Sequence, residues 1–275
     1  TGNALPHHWT RGVCQYGVIP CNGLLYVPPH SCACFITAKL NGFYALAPER
    51  RPKDEGGRMK DEDRLERGPA YEDILHPSSL IPHPSPDWPT YRHDAARRGA
   101  TATSVSTPLH RAWQTPLGGR LSAPVIAEGK LLAAAVDTHT IHACEASSGQ
   151  PVWSYTAGGR VDSPPTVWQG RVLFGSADGW VYCLRAEDGA LAWRFRAAPE
   201  ELRIVARGQV ESAWPVPGNV LVQDGVAMAA AGRSSYFDGG IRLCRLDART
   251  GQLLSETVLD HRDPQTGVQA KDAIQ

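Results

Sequence analysis

Apolar residues in the central part of this chain come in short runs broken by Gly, Asp and Ser, and no stretch keeps the 3.6-residue period of an amphipathic helix. Over residues 122–157 the pattern predicts four strands, at 122–126 (A), 130–136 (B), 140–145 (C) and 151–156 (D). Tight turns at Glu128-Gly129, Asp137 and Ser148-Gly149 separate them.

The same unit recurs. Trp113, Trp153 and Trp193 lie 40 residues apart, and Gly118-Gly119-Arg120 is matched by Gly158-Gly159-Arg160. Glu128-Gly129 is matched by Gln169-Gly170 and Asp224-Gly225, and Ser148-Gly149 by Asp188-Gly189 and Thr250-Gly251. Four short strands repeating every ~40 residues are the size of one propeller blade, so the fold class is all-β: a β-propeller of four-stranded antiparallel blades. Blades are expected near 120–157, 160–197 and 210–258. The three tryptophans should pack between neighbouring blades. Cys144, Cys183 and Cys244, all on C strands, should be small buried side chains. Asp137, Asp178 and Asp238 read as formers of the B–C turns, and His139 and His142 as ordinary strand or turn residues.

The stretch Ile141-His142-Ala143-Cys144-Glu145-Ala146-Ser147-Ser148-Gly149-Gln150-Pro151-Val152-Trp153 resembles the PQQ-type propeller repeat, whose tail is roughly V-Y-A-L-D-A-x-T-G-x-x-x-W. Val181-Tyr182-Cys183-Leu184 through Gly189 to Trp193 is similar, as is Leu243 through Asp247, Thr250 and Gly251. Trp88-Pro89-Thr90-Tyr91-Arg92-His93-Asp94, with Gly99, resembles the segment that opens such propellers. The resemblance covers roughly residues 88–259 and, more weakly, 12–48. It implies a ring of seven or eight blades, so three blades and a partial one need the rest of their own propeller to close. It also implies one of two functions, because the family includes quinoprotein dehydrogenases and non-enzymatic outer-membrane assembly lipoproteins. A dehydrogenase would resemble the family in an adjacent Cys-Cys disulfide, acidic and Asn ligands to calcium and a catalytic Asp. No adjacent Cys pair occurs here and no acidic cluster matches. The expectation is a non-enzymatic binding or scaffolding module for a protein or glycan partner, with no cofactor and no catalytic residues, in the periplasm, the cell envelope or outside the cell. The alternative is a fragment of a dehydrogenase that uses PQQ and calcium on alcohols or sugars.

Residues 12–48 fit one partial blade, with Leu24 to Val27 as strand B and Phe43 to Leu46 as strand C. Residues 49–67 hold seven acids and seven bases in 19 positions, followed by Pro77, Pro82, Pro84 and Pro86. That composition predicts a solvated linker over 49–87, with a short helix around 59–67. The domain reading is 1–48 as the end of a preceding propeller, 49–87 as linker and 88–275 as the start of a new one; a single propeller with a long excursion stays open. The start at Thr1 reads as a piece cut from something longer.

Lys+Arg 28 balance Asp+Glu 28, which argues against nucleic acid as a partner. No apolar run approaches the 18 residues of a membrane span, and no nucleotide-binding, serine-hydrolase or zinc-protease motif occurs. Seven cysteines leave at least one unpaired. Cys14 can form a disulfide with Cys32 or Cys34; His30, Cys32 and Cys34, with Cys14, can instead be read as a metal site, or the thiols are free. Cys21, at the far end of its strand, should be free.

Insertions point to a working face. A–B and C–D turns share one side of a blade, and B–C and D–A connections share the other. Gly170 to Tyr182 spans 12 residues, Gly23 to Tyr44 spans 21, and Gly225 to Cys244 spans 19. The connection after Trp193 is long as well. Every enlargement is on the B–C and D–A side, so the loops at 32–34, 203–214 and 233–240 should form one ligand or partner face. Its candidate residues are Arg203, Arg207, Glu211, Trp214, Arg233, Ser234, Tyr236 and Asp238, which supply guanidinium donors and aromatic surface.

Overall fold

Short apolar runs between glycine turns satisfy their backbone by pairing with their sequence neighbours, and most of the described strands do so. The computed structural model describes residues 19–21, 24–27, 44–46, 61–75, 87–105 and 107–261, in two units, Thr1–Gly57 and Arg58–Gln275. In the first unit, β1 (Ile19–Cys21), β2 (Leu24–Val27) and β3 (Tyr44–Leu46) form one antiparallel sheet in that order. Cys14, His30, Cys32 and Cys34 lie outside the described residues.

The second unit carries three blades. The first is β5 (Val125–Ala127), β6 (Lys130–Ala135), β7 (Thr140–Glu145) and β8 (Pro151–Thr156). The second is β9 (Thr166–Trp168), β10 (Arg171–Gly175), β11 (Trp180–Arg185) and β12 (Leu191–Arg196). A separate hairpin, β13 (Arg203–Ala206) and β14 (Gln209–Ser212), precedes the third, which is β15 (Leu221–Gln223), β16 (Val226–Ala231), β17 (Ile241–Asp247) and β18 (Leu253–Leu259). The third blade, expected from about 210, thus has its first strand at Leu221. Within each blade these four strands form an antiparallel meander in chain order.

The blades are joined by the repeated tryptophans. Trp113 Nε1 donates to Ala146 O at 3.0 Å, Trp153 Nε1 to Ala186 O at 3.0 Å, and Trp193 Nε1 to Arg249 O at 3.2 Å. Each indole lies against a C–D turn glycine of the blade that follows. At Gly189, with φ 75°, an added Cβ would stand 2.5 Å from Cε3 of Trp153, so no larger residue fits. One apolar core joins blades one and two through Leu132, Ile141, Val172, Phe174, Tyr182 and Leu184. Another joins two and three through Val181, Trp193, Phe195, Ala227, Ala231 and Leu246. Blade two is covered on both faces, and all five residues of β10 are buried. Cys144, Cys183 and Cys244 are buried free thiols.

Residues 61–75 are packed on blade two instead of forming a solvated linker, and within 61–67 the expected helix is reduced to one 3-10 turn. A 3-10 turn at Asp61–Arg64 leads to β4 (Leu65–Arg67), which pairs antiparallel with β12 as a fifth strand of blade two. The cause is tertiary: the outer edge of β12 offers a row of backbone partners that outweighs the local preference of the segment. Gly68 N donates to Ala192 O, Ala70 N to Leu191 O, and the short helix α1 (Tyr71–Leu75) buries Tyr71 and Ile74 in the core between blades two and three. Arg64 is buried there too. Its Nε donates to Arg196 O at 2.9 Å, its Nη1 meets Glu256 Oε2 at 2.7 Å, and its guanidinium lies 4.6 Å from the Phe195 ring centre. Glu256 also meets Arg242, at 2.5 Å.

At the inner edge, Trp88 pairs with Ile126, Pro89 O accepts from Val167 N, and Thr90 Oγ1 lies 2.8 Å from Thr166 Oγ1 and 3.3 Å from Asn219 Oδ1. The segment that opens the repeat region therefore meets the innermost strands of blades one and two and reaches Asn219, just ahead of the first strand of blade three.

Trp193, fully buried, should cost about 3–5 kcal/mol on truncation to Ala, and the partly exposed Trp153 an amount near the lower end of that range. Denaturant titration of both variants checks the order. A second expectation concerns Glu256. Burial alone would raise its carboxyl, but the hydrogen bonds and charges of Arg64 and Arg242 hold it below the usual range. Its contribution is then complete above the unfolded value of about 4.3 and is lost as pH falls through the folded value. Glu256→Ala should cost about 3–5 kcal/mol at pH 7, and the gap to wild type should narrow in titrations carried toward pH 3.

Candidate functional site

The D–A connection between blades two and three carries the hairpin, and its sequence explains its shape. Arg207 and Gly208 both have positive φ, 52° and 74°, which makes a two-residue turn matched to strand twist. Val205 pairs with Val210 across the hairpin and both are exposed, at 77% and 59%. Ile204 packs on the core between blades two and three. At the hairpin base Ser212 N donates to Ala177 O, in the B–C turn of blade two. Its tip reaches blade one: Gln209 Nε2 donates to Asp137 O at 3.2 Å, and Gln209 Oε1 accepts from His139 Nε2 at 2.9 Å. The hairpin therefore straps the B–C side of the first two blades.

Beneath it lies a charge network. Arg160 and Glu211 expose only 3% and 4% of their side chains. Arg160 Nε donates to Asp162 Oδ1 at 2.7 Å and its Nη2 lies 3.0 Å from Glu211 Oε2. Arg233, from the enlarged B–C loop of blade three, donates through Nη2 to Glu211 Oε1 at 3.0 Å and to Ser212 O at 3.1 Å. Arg207 Nη1 is 3.7 Å from Asp162 Oδ2. The Asp162 hydrogen bond, followed by the nearby carboxylates, keeps the Arg160 guanidinium firmly charged against the cost of burial. Glu211 thus ties two blades and the hairpin to one carboxylate. In blade two's B–C turn, Asp178 accepts from Trp180 N and from the Tyr182 hydroxyl, whose ionisation is pushed up by burial and then by Asp178.

Of the residues expected at this face, Arg207, Glu211 and Arg233 come together. The 203–214 and 233–240 segments also meet where Trp214 Nε1 donates to Asp238 O at 2.7 Å. Trp214 itself corrects the expectation: it is 4% exposed and its N–H is already used, so it supplies no contact surface. Tyr236 stacks on His261 with ring centres 4.9 Å apart, Ser234 Oγ accepts from Tyr236 N, and Arg203 pairs with Glu201 at 2.7 Å. Arg160, Asp162 and the His139–Gln209 contact were not anticipated. The Arg160 signal was present but concealed, because Arg120 holds the same place in the preceding repeat and made it look like mere periodicity. Among the described residues no group of three or more His, Cys, Asp or Glu side chains is placed to hold a metal ion. No nucleophile is paired with a base in this network. On the surface of the same side Val205, Val210 and Phe237 are exposed.

The family described as outer membrane protein assembly factor BamB matches residues 96–272. The chain belongs to the PQQ-type β-propeller repeat family. It is 33% identical over 96 residues to the outer membrane protein assembly factor BamB of Burkholderia pseudomallei, covering 34% of this chain and 25% of that protein. It is 26% identical over 190 residues to the dehydrogenase subunit of the quinone alcohol dehydrogenase of Gluconobacter oxydans, covering 62% and 24%. It thus spans about a quarter of the length of these curated relatives. Quinohaemoprotein alcohol dehydrogenases of Pseudomonas putida (TM-score 0.53, 17% identity, 76% of this chain and 31% of theirs) and Comamonas testosteroni (0.52, 20%, 70% and 30%) share the fold. No helix among the described residues is long and apolar enough to cross a membrane.

Glu211→Ala would leave two guanidiniums facing each other without their shared anion. It should cost about 3–5 kcal/mol, and amide exchange across 203–212 should quicken before that of the blade cores. Exchange that stayed at the wild-type rate would show that the hairpin is held by other means.

Proposed function

We propose that this chain is a non-enzymatic binding or scaffolding module whose B–C and D–A side receives a protein partner, with a glycan as the other ligand class that such a rim accommodates. The observation that carries the reading is the hairpin over blade two, whose cross-strand Val205–Val210 pair faces solvent beside the largely exposed guanidinium of Arg207. Apolar surface flanked by arginine is what protein interfaces concentrate. Similarity to an outer membrane protein assembly factor supports this reading, and with it a place in the periplasm or cell envelope or outside the cell. Residues 1–48 are read as the end of a preceding propeller and 88–275, with 61–75 packed on blade two, as the start of the one that binds.

The second reading, a piece of a PQQ-dependent dehydrogenase, is favoured by the similarity to alcohol dehydrogenase subunits. Among the described residues no group of three or more His, Cys, Asp or Glu side chains is placed to hold calcium. Incubation of the intact protein with PQQ and calcium, followed by dye-linked alcohol oxidation, separates the two. The binding reading expects no turnover, together with retention of a specific partner from envelope extract. Combined Val205→Ser, Val210→Ser and Arg207→Glu substitution should weaken that retention at least about tenfold while leaving the melting temperature near wild type, as expected for exposed positions. Retention that survives these substitutions moves the binding surface elsewhere.

A further inference from the structure

The blade joints can be compared row by row, because each C strand carries its bulge at the same place. Just before the bulge, the B–C–D rows are Leu132–Ala143–Trp153 in blade one, Leu173–Cys183–Trp193 in blade two and Met228–Arg245–Ser255 in blade three. The next rows are Ala134–Ile141–Tyr155, Gly175–Val181–Phe195 and Ala230–Leu243–Thr257. In blades one and two these rows face the following blade, and their inner members are closed off from solvent. Blade three has a serine where the indole should be, a threonine for the aromatic and an arginine for the small apolar residue. Leu243 is 39% exposed, and Arg245, Ser255 and Thr257 are exposed. The other side of the same sheet is ordinary, with Ala227, Cys244 and Leu246 at 0–1% against blade two. The sheet is well formed, and only the face that continues the arc departs from the repeat.

We propose that this face is an interblade joint of a second kind, on which a further sheet of the same propeller presents a carboxylate to Arg245. A glycine turn cannot key into this face, because no indole is there to meet it. A guanidinium with no ion pair or hydrogen bond among the described residues can be covered only by a group that replaces its water, and a carboxylate does so with paired, charge-assisted bonds. Met228 and Leu243 confine the apolar contact to the inner half of the face. A second copy of the face is not the occupant. It would set Arg245 against Arg245, and the adjacent Asp247 is already engaged by the Arg249 and Thr250 amides.

The test uses thermal melts of the intact protein. Arg245→Glu should lower the melting temperature by roughly 2–4 °C at low salt, and the deficit should shrink in 1 M NaCl. Arg245→Lys should retain most of the stability and Arg245→Met should not. Should the charge reversal prevent folding, the Lys and Met pair alone decides. The opposite design, Arg245→Cys with Ser255→Trp, recreates the blade-two row and should destabilise. If it stabilises instead, the face is a worn copy of the indole joint and the proposal fails. Equal melting temperatures for Arg245→Met and wild type, or a charge-reversal deficit indifferent to salt, would also overturn it.

Discussion

An indole laid on a glycine turn is the contact on which this arc of blades depends. A blade has two faces and a narrow waist, so two blades can stay in register only if something fixes where one outer strand meets the next sheet. Trp153 and Trp193 do this by filling the space that a Cβ at Gly189 or Gly251 would take and by using a ring N–H on a backbone carbonyl. The constraint explains the repeat length. From Trp113 to Gly149 and from Trp153 to Gly189 the separation is 36 residues, whereas from Trp193 to Gly251 it is 58. The extra residues form the hairpin and the enlarged B–C loop, both on the side away from the joint, so the joint geometry is unchanged. Insertion is tolerated where the indole does not look.

Once the faces are joined, edges remain. A sheet edge with free N–H and C=O groups invites unwanted pairing, and blade two is sealed at both ends. Pro89 covers its innermost strand and β4 its outermost. That is why so charged a segment as 61–75 belongs to the propeller. Three of its charges are paired on the blades, Arg64 with Glu256, Glu66 with Arg194 and Asp73 with Arg185, while Tyr71 and Ile74 supply the apolar contact. The buried ion pair contributes little on its own, since desolvation offsets much of the attraction. Its role is to fix where the rim segment sits.

Strand order, blade size and the tryptophan joints were legible in the sequence because they repeat, and a repeat converts a weak local signal into a strong one. The fate of 61–67 was not legible, because it is decided by the edge of β12, more than a hundred residues away. Trp214 was misread for a related reason: an aromatic in a long connection looks like contact surface until the Asp238 carbonyl is seen to take its N–H. At the hairpin, an arginine-glycine pair announces a turn, yet nothing local says that Gln209 will find His139 and Asp137 of another blade. Contacts within one repeat could be read, and contacts that join non-equivalent parts of different repeats could not.

If the rim receives a partner, as proposed, this distinction bears on what it can recognise. Counted from the sequence, it is rich in arginine, but Arg160 and Arg233 are committed to Asp162 and Glu211, and Arg203 pairs with Glu201. A guanidinium already paired in the free protein gains little from a second anion. The charge left for a partner is chiefly that of Arg207, whose nearest carboxylate is 3.7 Å away. On the proposed reading the remaining binding energy comes from Val205 and Val210, on the hairpin, and from Phe237 in the 233–240 loop, all of them apolar and exposed. Such a surface sets its affinity by burying apolar area on a pre-formed hairpin and uses charge mainly for approach and orientation. The internal ion pairs serve it by holding the hairpin rigid, so that little ordering is left to be done when a partner arrives.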